Sequence, residues 1–100
     1  SKQLRFVIDY NQAPIGMIDL YDFEVKAAGV GVLILEKYRR RGFAKESLKL
    51  LSKYAFSTLK LKKIFCSITT DNKKSIKLFT SVAFKLKSKI KGVNYYILSK

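Results

Sequence analysis

Short apolar runs separated by turn-forming residues predict three strands in the first third of the chain. Residues 4–10 and 15–22 flank the segment Asn-Gln-Ala-Pro at 11–14, so we predict a hairpin there. Residues 28–35 are apolar at every position apart from two glycines, a pattern typical of a central strand that is buried on both faces.

The remainder alternates between helical and extended patterns. Apolar residues at helical spacing predict an amphipathic helix over residues 42–59, with Ala44, Leu48, Leu51, Ala55 and Leu59 on its apolar face and Phe43, Leu50 and Tyr54 widening that face. Residues 63–69 predict a strand, and a polar Thr-Asp-Asn segment can cap a second helix that reaches about residue 82. Residues 84–90 and 93–98 predict a final hairpin.

This element order, β-β-β-α-β-α-β-β, predicts an α+β fold with a mixed, mostly antiparallel sheet. The 100 residues fit a single domain over residues 1–100. The sequence contains neither an internal repeat nor a low-complexity tract.

The junction between the third strand and the first helix is the best candidate for a ligand site. The apolar run at residues 30–35 leads into the basic turn Arg39-Arg40-Arg41-Gly42, which opens directly into the helix. The first N–H groups of a helix lack intrahelical partners and carry the positive end of its dipole, so such a turn can bind an anion. An ordinary turn with solvated arginines would have the same spacing.

The pattern Arg39-x-x-Gly42-x-Ala44 also resembles the pyrophosphate-binding signature of the GCN5-related N-acetyltransferases (the GNAT family). Residues 71–79, Asp-Asn-Lys-Lys-Ser-Ile-Lys-Leu-Phe, resemble that family's Asn-x-x-(Ala/Ser)-Ile-x-Leu-Tyr helix, and Val82-Ala83-Phe84 stands where a Gly-Phe pair often begins the next strand. The resemblance covers residues 15–84 and is strongest to the branch of ribosomal-protein alanine and diamine acetyltransferases. It implies that the chain adopts the family's fold in partial form.

The resemblance implies an acetyl-CoA-dependent N-acetyltransferase, in which a primary amine attacks the thioester directly in a ternary complex. The backbone of the strand before the loop would hold the pantetheine arm and polarise the thioester carbonyl, and the loop would hold the pyrophosphate. Asn72 would contact the coenzyme arm or brace the strand, although a simple helix cap is an equal alternative. The implied coenzyme-binding residues are Val32, Leu33, Ile34, Arg39, Arg40, Arg41, Gly42, Phe43, Ala44, Asn72 and Phe79.

Phe79 departs from the family pattern, because its position commonly holds the tyrosine that protonates the departing thiolate. Phenylalanine has no proton to give, so we expect slower turnover or a coenzyme-binding module with weak or no transferase activity. Tyr95 and Tyr96 are the alternative proton donors that the sequence offers.

Three carboxylates near the end of the second strand, Asp19, Asp22 and Glu24, are the candidates for a general base. A hydrophilic turn would explain the same residues. Cys66 has no histidine to activate it, so we interpret it as a buried strand thiol.

The family normally has a further strand and two helices before the first of these strands, and those elements are missing from these 100 residues. We therefore expect either a fragment of a longer protein or a partner that supplies the missing surface. Strand edges left free in this way favour a homodimer. We expect the acceptor to be a small-molecule or peptide amine.

Composition limits the remaining classes. The net charge of +14, from 21 Lys and Arg against 7 Asp and Glu, attracts anions and opposes capture of a free polyamine. A basic nucleic-acid-binding domain is the competing hypothesis, but most of the 13 aromatics fall in apolar strand or helix patterns.

With no histidine and one cysteine, the common zinc sites cannot be assembled. No apolar run approaches the roughly 20 residues that span a bilayer, and the lone cysteine favours a reducing, cytoplasmic location.

Overall fold

The computed structural model describes residues 3–100 of the chain. It contains the eight predicted elements in the predicted order, together with a short 3₁₀ helix, Glu36–Tyr38, that the pattern did not predict. The strands and helices are β1 Leu4–Tyr10, β2 Ala13–Glu24, β3 Ala27–Ile34, α1 Phe43–Ser57, β4 Lys63–Thr69, α2 Lys73–Ser81, β5 Lys85–Ile90 and β6 Val93–Ser99.

The six strands form one sheet in the order β1-β2-β3-β4-β6-β5, and every neighbouring pair is antiparallel except β3 and β4. The mixed, mostly antiparallel sheet is therefore confirmed. The first hairpin is tighter than the sequence suggested, because only Asn11 and Gln12 form the turn, both with positive φ. Two such residues give the backbone twist that a short hairpin requires. Pro14 lies inside β2, opposite Asp9 at a register shift, where a strand tolerates a missing donor.

Both helices pack on the same face of the sheet. The core joins Leu48, Leu51 and Ala55 of α1 and Phe79 of α2 to strand residues such as Val30. These three α1 residues are at positions that the helical spacing predicted.

The predicted width of the α1 apolar face is wrong at two positions. Leu50 is 66% exposed and Tyr54 is 37% exposed, because this flank of the helix reaches past the sheet core toward β1. Tyr54 contacts the ring of Phe6 edge-on, with 5.7 Å between ring centroids. Leu50 and Tyr54 line an apolar groove together with Phe6, Val7 and other residues of β1, β2 and α1.

We predict that Leu48→Ala lowers the free energy of unfolding by about 2–5 kcal/mol, because it leaves a cavity at a fully buried position. Leu50→Ala on the same helix is the matched control and should change stability by less than about 0.5 kcal/mol. Urea denaturation followed by circular dichroism measures both values. Equal losses in the two variants would contradict the assignment of the helix faces.

Candidate active site

The two parallel strands in the middle of the sheet, β3 and β4, diverge soon after they begin. β3 and β4 pair at only three positions, of which the last is Gly29 opposite Phe65. Beyond that point they diverge around a cavity of about 350 Å³. The cavity is lined by Tyr21, Val30, Gly31, Val32, Cys66, Ser67, Ile68, Thr69, Asn72, Ser75 and Phe79. We call this cavity the cleft.

The cleft leaves one edge of β3 without a strand partner. On its other side β3 stays paired with β2 as far as Ile34, opposite Gly16. Within residues 3–100, no strand pairs with β3 on the cleft side after Gly29. The backbone N–H and C=O groups on that edge are therefore available to an extended ligand.

Among the three β3 residues that the resemblance singled out, Val32 lines the cleft, whereas Leu33 and Ile34 are not part of its lining. Leu33 is 52% exposed. The carbonyl of Ile34 is already engaged, because it accepts a hydrogen bond from Nε of Arg39 at 2.8 Å.

The first turn of α1 meets the physical requirements for anion binding. Gly42 is its N-cap residue, with φ of 82°, and no side chain caps the helix. A Cβ placed on Gly42 would meet no atom within 4 Å, so the space in front of the helix is open. The uncapped N–H groups carry the positive end of the helix dipole toward that space. Because β3 and β4 are parallel, α1 and α2 both begin at the same edge of the sheet.

The three arginines before Gly42 have different roles. Arg39 is tied to the end of β3 through the bond to Ile34. The guanidinium of Arg41 lies over the ring of Tyr38, with 5.6 Å to the ring centroid. Arg40 is exposed and has positive φ. The loop is thus a positively charged, internally braced turn.

The two residues that follow Gly42, Phe43 and Ala44, are placed differently from the arginines. The ring of Phe43 packs against Tyr10 with 4.7 Å between centroids, and Ala44 is half-buried. The contact between Phe43 and Tyr10 holds the first turn of α1 against β1.

Helix α2 contributes its cap and one aromatic ring to the cleft. Asn72 is its N-cap residue, and its side chain accepts a hydrogen bond from the N–H of Ser75 at 3.2 Å. The predicted helix cap is confirmed, and Asn72 also lines the cleft. Phe79 is 5% exposed and packs edge-on against Phe84, with 5.0 Å between centroids.

Neither alternative tyrosine lines the cleft. Tyr96 is buried, and its hydroxyl accepts a hydrogen bond from the Asn94 amide at 3.1 Å. Tyr95 is 39% exposed on β6, where it pairs with Ser67.

The three carboxylates proposed as a base are not brought together at one point. Asp19 lies opposite Gly31, and its Oδ2 accepts hydrogen bonds from Gln3 at 2.7 Å and Arg5 at 3.2 Å. Asp22 and Glu24 are exposed at the irregular end of the β2–β3 pairing. Of the three, Asp19 is therefore the carboxylate held against a residue that lines the cleft.

Sequence reasoning missed several lining residues, notably Tyr21, Gly31 and Ser67. For Tyr21, the Gly29-x-Gly31 spacing was a signal that the sequence contained. A Cβ at Gly29 would lie 2.7 Å from two ring atoms of Tyr21, so the missing side chain makes room for that ring. Burial raises the pKa of Tyr21, and the neighbouring Cys66, Asp22 and Asp19 raise it further.

Neither a metal-binding cluster nor a membrane-spanning helix is found in the described residues. No group of three or more His, Cys, Asp or Glu side chains there could hold a metal ion. No helix between residues 3 and 100 is both long enough and apolar enough to cross a membrane.

A profile of the family described as "Acetyltransferase (GNAT) domain" matches residues 1–85. The spermidine N(1)-acetyltransferase of Escherichia coli (strain K12) is 24% identical over 92 residues, which make up 90% of this chain and 50% of that protein. An uncharacterized SPbeta prophage-derived N-acetyltransferase of Bacillus subtilis (strain 168) is 26% identical over 94 residues, or 91% of this chain and 53% of that protein. The chain thus spans about half the length of the curated relatives that it matches.

Solved structures show the same fold. Campylobacter jejuni N-acetyltransferase PseH, in complex with acetyl coenzyme A, superposes with a TM-score of 0.90 at 23% identity, covering 100% of this chain and 70% of that chain. A dodecameric spermidine N-acetyltransferase from Vibrio cholerae superposes with a TM-score of 0.88 at 23% identity, covering 97% of this chain and 64% of that chain.

We predict that Cys66 reacts slowly with thiol reagents in the folded protein. It is 3% exposed, and burial raises its pKa from the ordinary value of 9.0 to about 12. At pH 8 the reactive thiolate is therefore about a thousandfold scarcer than in a free cysteine. Labelling with a chromogenic disulfide, with and without urea, measures the difference. Fast stoichiometric labelling of the folded chain would contradict this burial.

Proposed function

The chain belongs to the GNAT family of acetyltransferase domains, and on that premise we propose that it binds acetyl-CoA in the cleft and transfers the acetyl group to an amine. The observation that carries the proposal is the early parting of β3 and β4. It places an unpaired strand edge beside the start of two helices, where the carboxyl ends of parallel strands commonly bind ligands.

The residues present fit the coenzyme. The free backbone edge of β3 at Val30, Gly31 and Val32 suits the amide groups of an extended pantetheine arm. The open space at Gly42 and the uncapped first turn of α1 suit the diphosphate. Arg40 and Arg41 add positive charge at the mouth of that turn. When bound, acetyl-CoA supplies an activated acyl thioester, so the chain has to orient two reactants and manage protons.

For the amine side of the reaction, we favour Asp19 over Asp22 and Glu24 as the group that accepts a proton. Its Oδ2 is held by Arg5 and Gln3, and its Oδ1 lies 3.0 Å from the position of a Cβ on Gly31. A carboxylate fixed in this way beside the cleft can receive a proton directly or through one water molecule.

We leave the acceptor at the level of a primary amine. The curated relatives named above include a spermidine N(1)-acetyltransferase, whereas the net charge of +14 opposes capture of a free polyamine. Spermidine and a short peptide with a free N-terminus are therefore the two substrates to compare. A homodimer also stays a proposal, supported by the free edge of β1.

We predict that Gly42→Glu weakens acetyl-CoA binding by about 100-fold or more, because it places bulk and negative charge where two or more charge-assisted hydrogen bonds would form. The measurement is calorimetric titration of acetyl-CoA at moderate salt, with dephosphorylated pantetheine as the ligand that lacks the diphosphate.

Gly92→Glu is the matched control. Gly92 also has positive φ and open space at its Cβ position, but it lies in the turn between β5 and β6. Gly92→Glu should bind acetyl-CoA like the unmodified chain. Unchanged affinity in a folded Gly42→Glu variant would overturn the loop assignment.

The same titrations separate the alternatives. Binding without acetyl transfer to either amine would favour a coenzyme-binding module that has lost catalysis. A different result would favour the nucleic-acid hypothesis over the transferase. In that case the folded chain would not bind acetyl-CoA but would bind single-stranded nucleic acid, with an affinity that falls steeply as salt is added.

A further inference from the structure

Tyr21 reaches the cleft from a strand that does not border it. β2 is separated from the cleft by the whole width of β3, yet Tyr21 is among the lining residues. It lies opposite Gly29 in the β2–β3 pairing. Side chains alternate along a strand, and its neighbour Leu20 belongs to the core under the helices, so Tyr21 projects from the other face of the sheet.

Two glycines of β3 open the path for the ring. A Cβ at Gly29 would lie 2.7 Å from both Cε2 and Cζ of Tyr21, closer than real side chains allow. A Cβ at Gly31 would lie 3.8 Å from Cε1 of the same ring. Cζ, which bears the hydroxyl, lies over Gly29, and the cleft that Tyr21 lines is also lined by Cys66 and Ser67 of β4. The Gly29-x-Gly31 spacing thus leaves space over β3 for the Tyr21 ring.

The cleft otherwise lacks an acidic hydroxyl where the reaction needs one. Phe79 lines it from α2 and has no hydroxyl. Tyr95 and Tyr96 lie outside the lining. Cys66 is the other titratable lining residue, and burial raises the pKa of its thiol to about 12. The charged and titratable groups around Tyr21 are Asp19 and Asp22 on its own strand and Cys66 on β4.

We propose that Tyr21 is a catalytic residue whose hydroxyl donates a hydrogen bond to the sulfur of the coenzyme thioester and replaces the hydroxyl that Phe79 lacks. This inference rests on the proposed function. The amine nitrogen bonds to the acyl carbon, the carbon–sulfur bond breaks, and its electron pair stays on sulfur. The Tyr21 proton passes to sulfur, the amine proton passes to Asp19, and Asp19 returns a proton to the Tyr21 oxygen directly or through water, so the products are an amide and a thiol and both side chains end unchanged.

The test uses product coenzyme A and needs no knowledge of the acceptor. Coenzyme A labelled with carbon-13 beside the sulfur is bound at saturation, and its NMR shift is followed against pH to give the pKa of the bound thiol. A hydrogen bond to the thiolate lowers that pKa, so we expect it to be about one unit or more higher in Tyr21→Phe than in the unmodified chain. Tyr95→Phe, on β6 outside the cleft lining, is the matched control and should leave it unchanged.

Two outcomes would overturn the assignment: the same thiol pKa in Tyr21→Phe and the unmodified chain, or an equal rise in Tyr95→Phe. The double variant Tyr21→Phe/Phe79→Tyr restores a hydroxyl from α2 and should bring the pKa back down. A pKa that stays as high as in Tyr21→Phe would show that positions 21 and 79 do not face the same atom. If coenzyme A does not bind the unmodified chain at all, the proposed function itself fails, and this outcome is distinct from binding without a Tyr21 effect.

Discussion

The structure depends on a junction of three residue pairs between β3 and β4. Each of these strands is paired along its outer side, β3 with β2 and β4 with β6. The sheet is therefore two three-stranded halves joined at one end and bridged on one face by α1 and α2. A buried backbone group without a partner costs about 1–3 kcal/mol, so the edges of the cleft require water or a ligand with its own amide groups. The divergence of β3 and β4 therefore forms the cleft and also leaves backbone groups in it that require a hydrogen-bond partner.

The two faces of the sheet have separate tasks. Val30 and Leu20 point to the face that holds the helices and belong to the core. The intervening positions of β2 and β3 hold Asp19 and Tyr21 against Gly31 and Gly29. Because strand side chains alternate, the core residues and the candidate proton-transfer groups of β2 lie on opposite faces of the same strands. A larger residue at Gly29 would meet the rings of Tyr21 and Phe65, neither of which belongs to the core.

The large positive charge of the chain indicates the anion site at the start of α1 less specifically than the backbone geometry does. Arg39 and Arg41 are both engaged with neighbouring groups of the protein, the Ile34 carbonyl and the Tyr38 ring. They brace the loop as well as charging it. The left-handed Gly42 and the open space before it carry the structural case for an anion site, and the surrounding field attracts any anion that approaches.

Most of the local structure could be predicted from the sequence, because it depends on residues a few positions apart. The strands at Leu4–Tyr10 and Lys63–Thr69 and the cap at Asn72 follow from alternation and from a side chain that bonds its own helix. The amino-acid sequence by itself thus determined the element order, the family signature and the loop that begins α1. Only the tertiary structure decided where β3 and β4 part, which flank of α1 stays exposed at Leu50, and that Tyr21 reaches the cleft. Those features depend on which distant strands become neighbours and in what register, and no local periodicity encodes that choice.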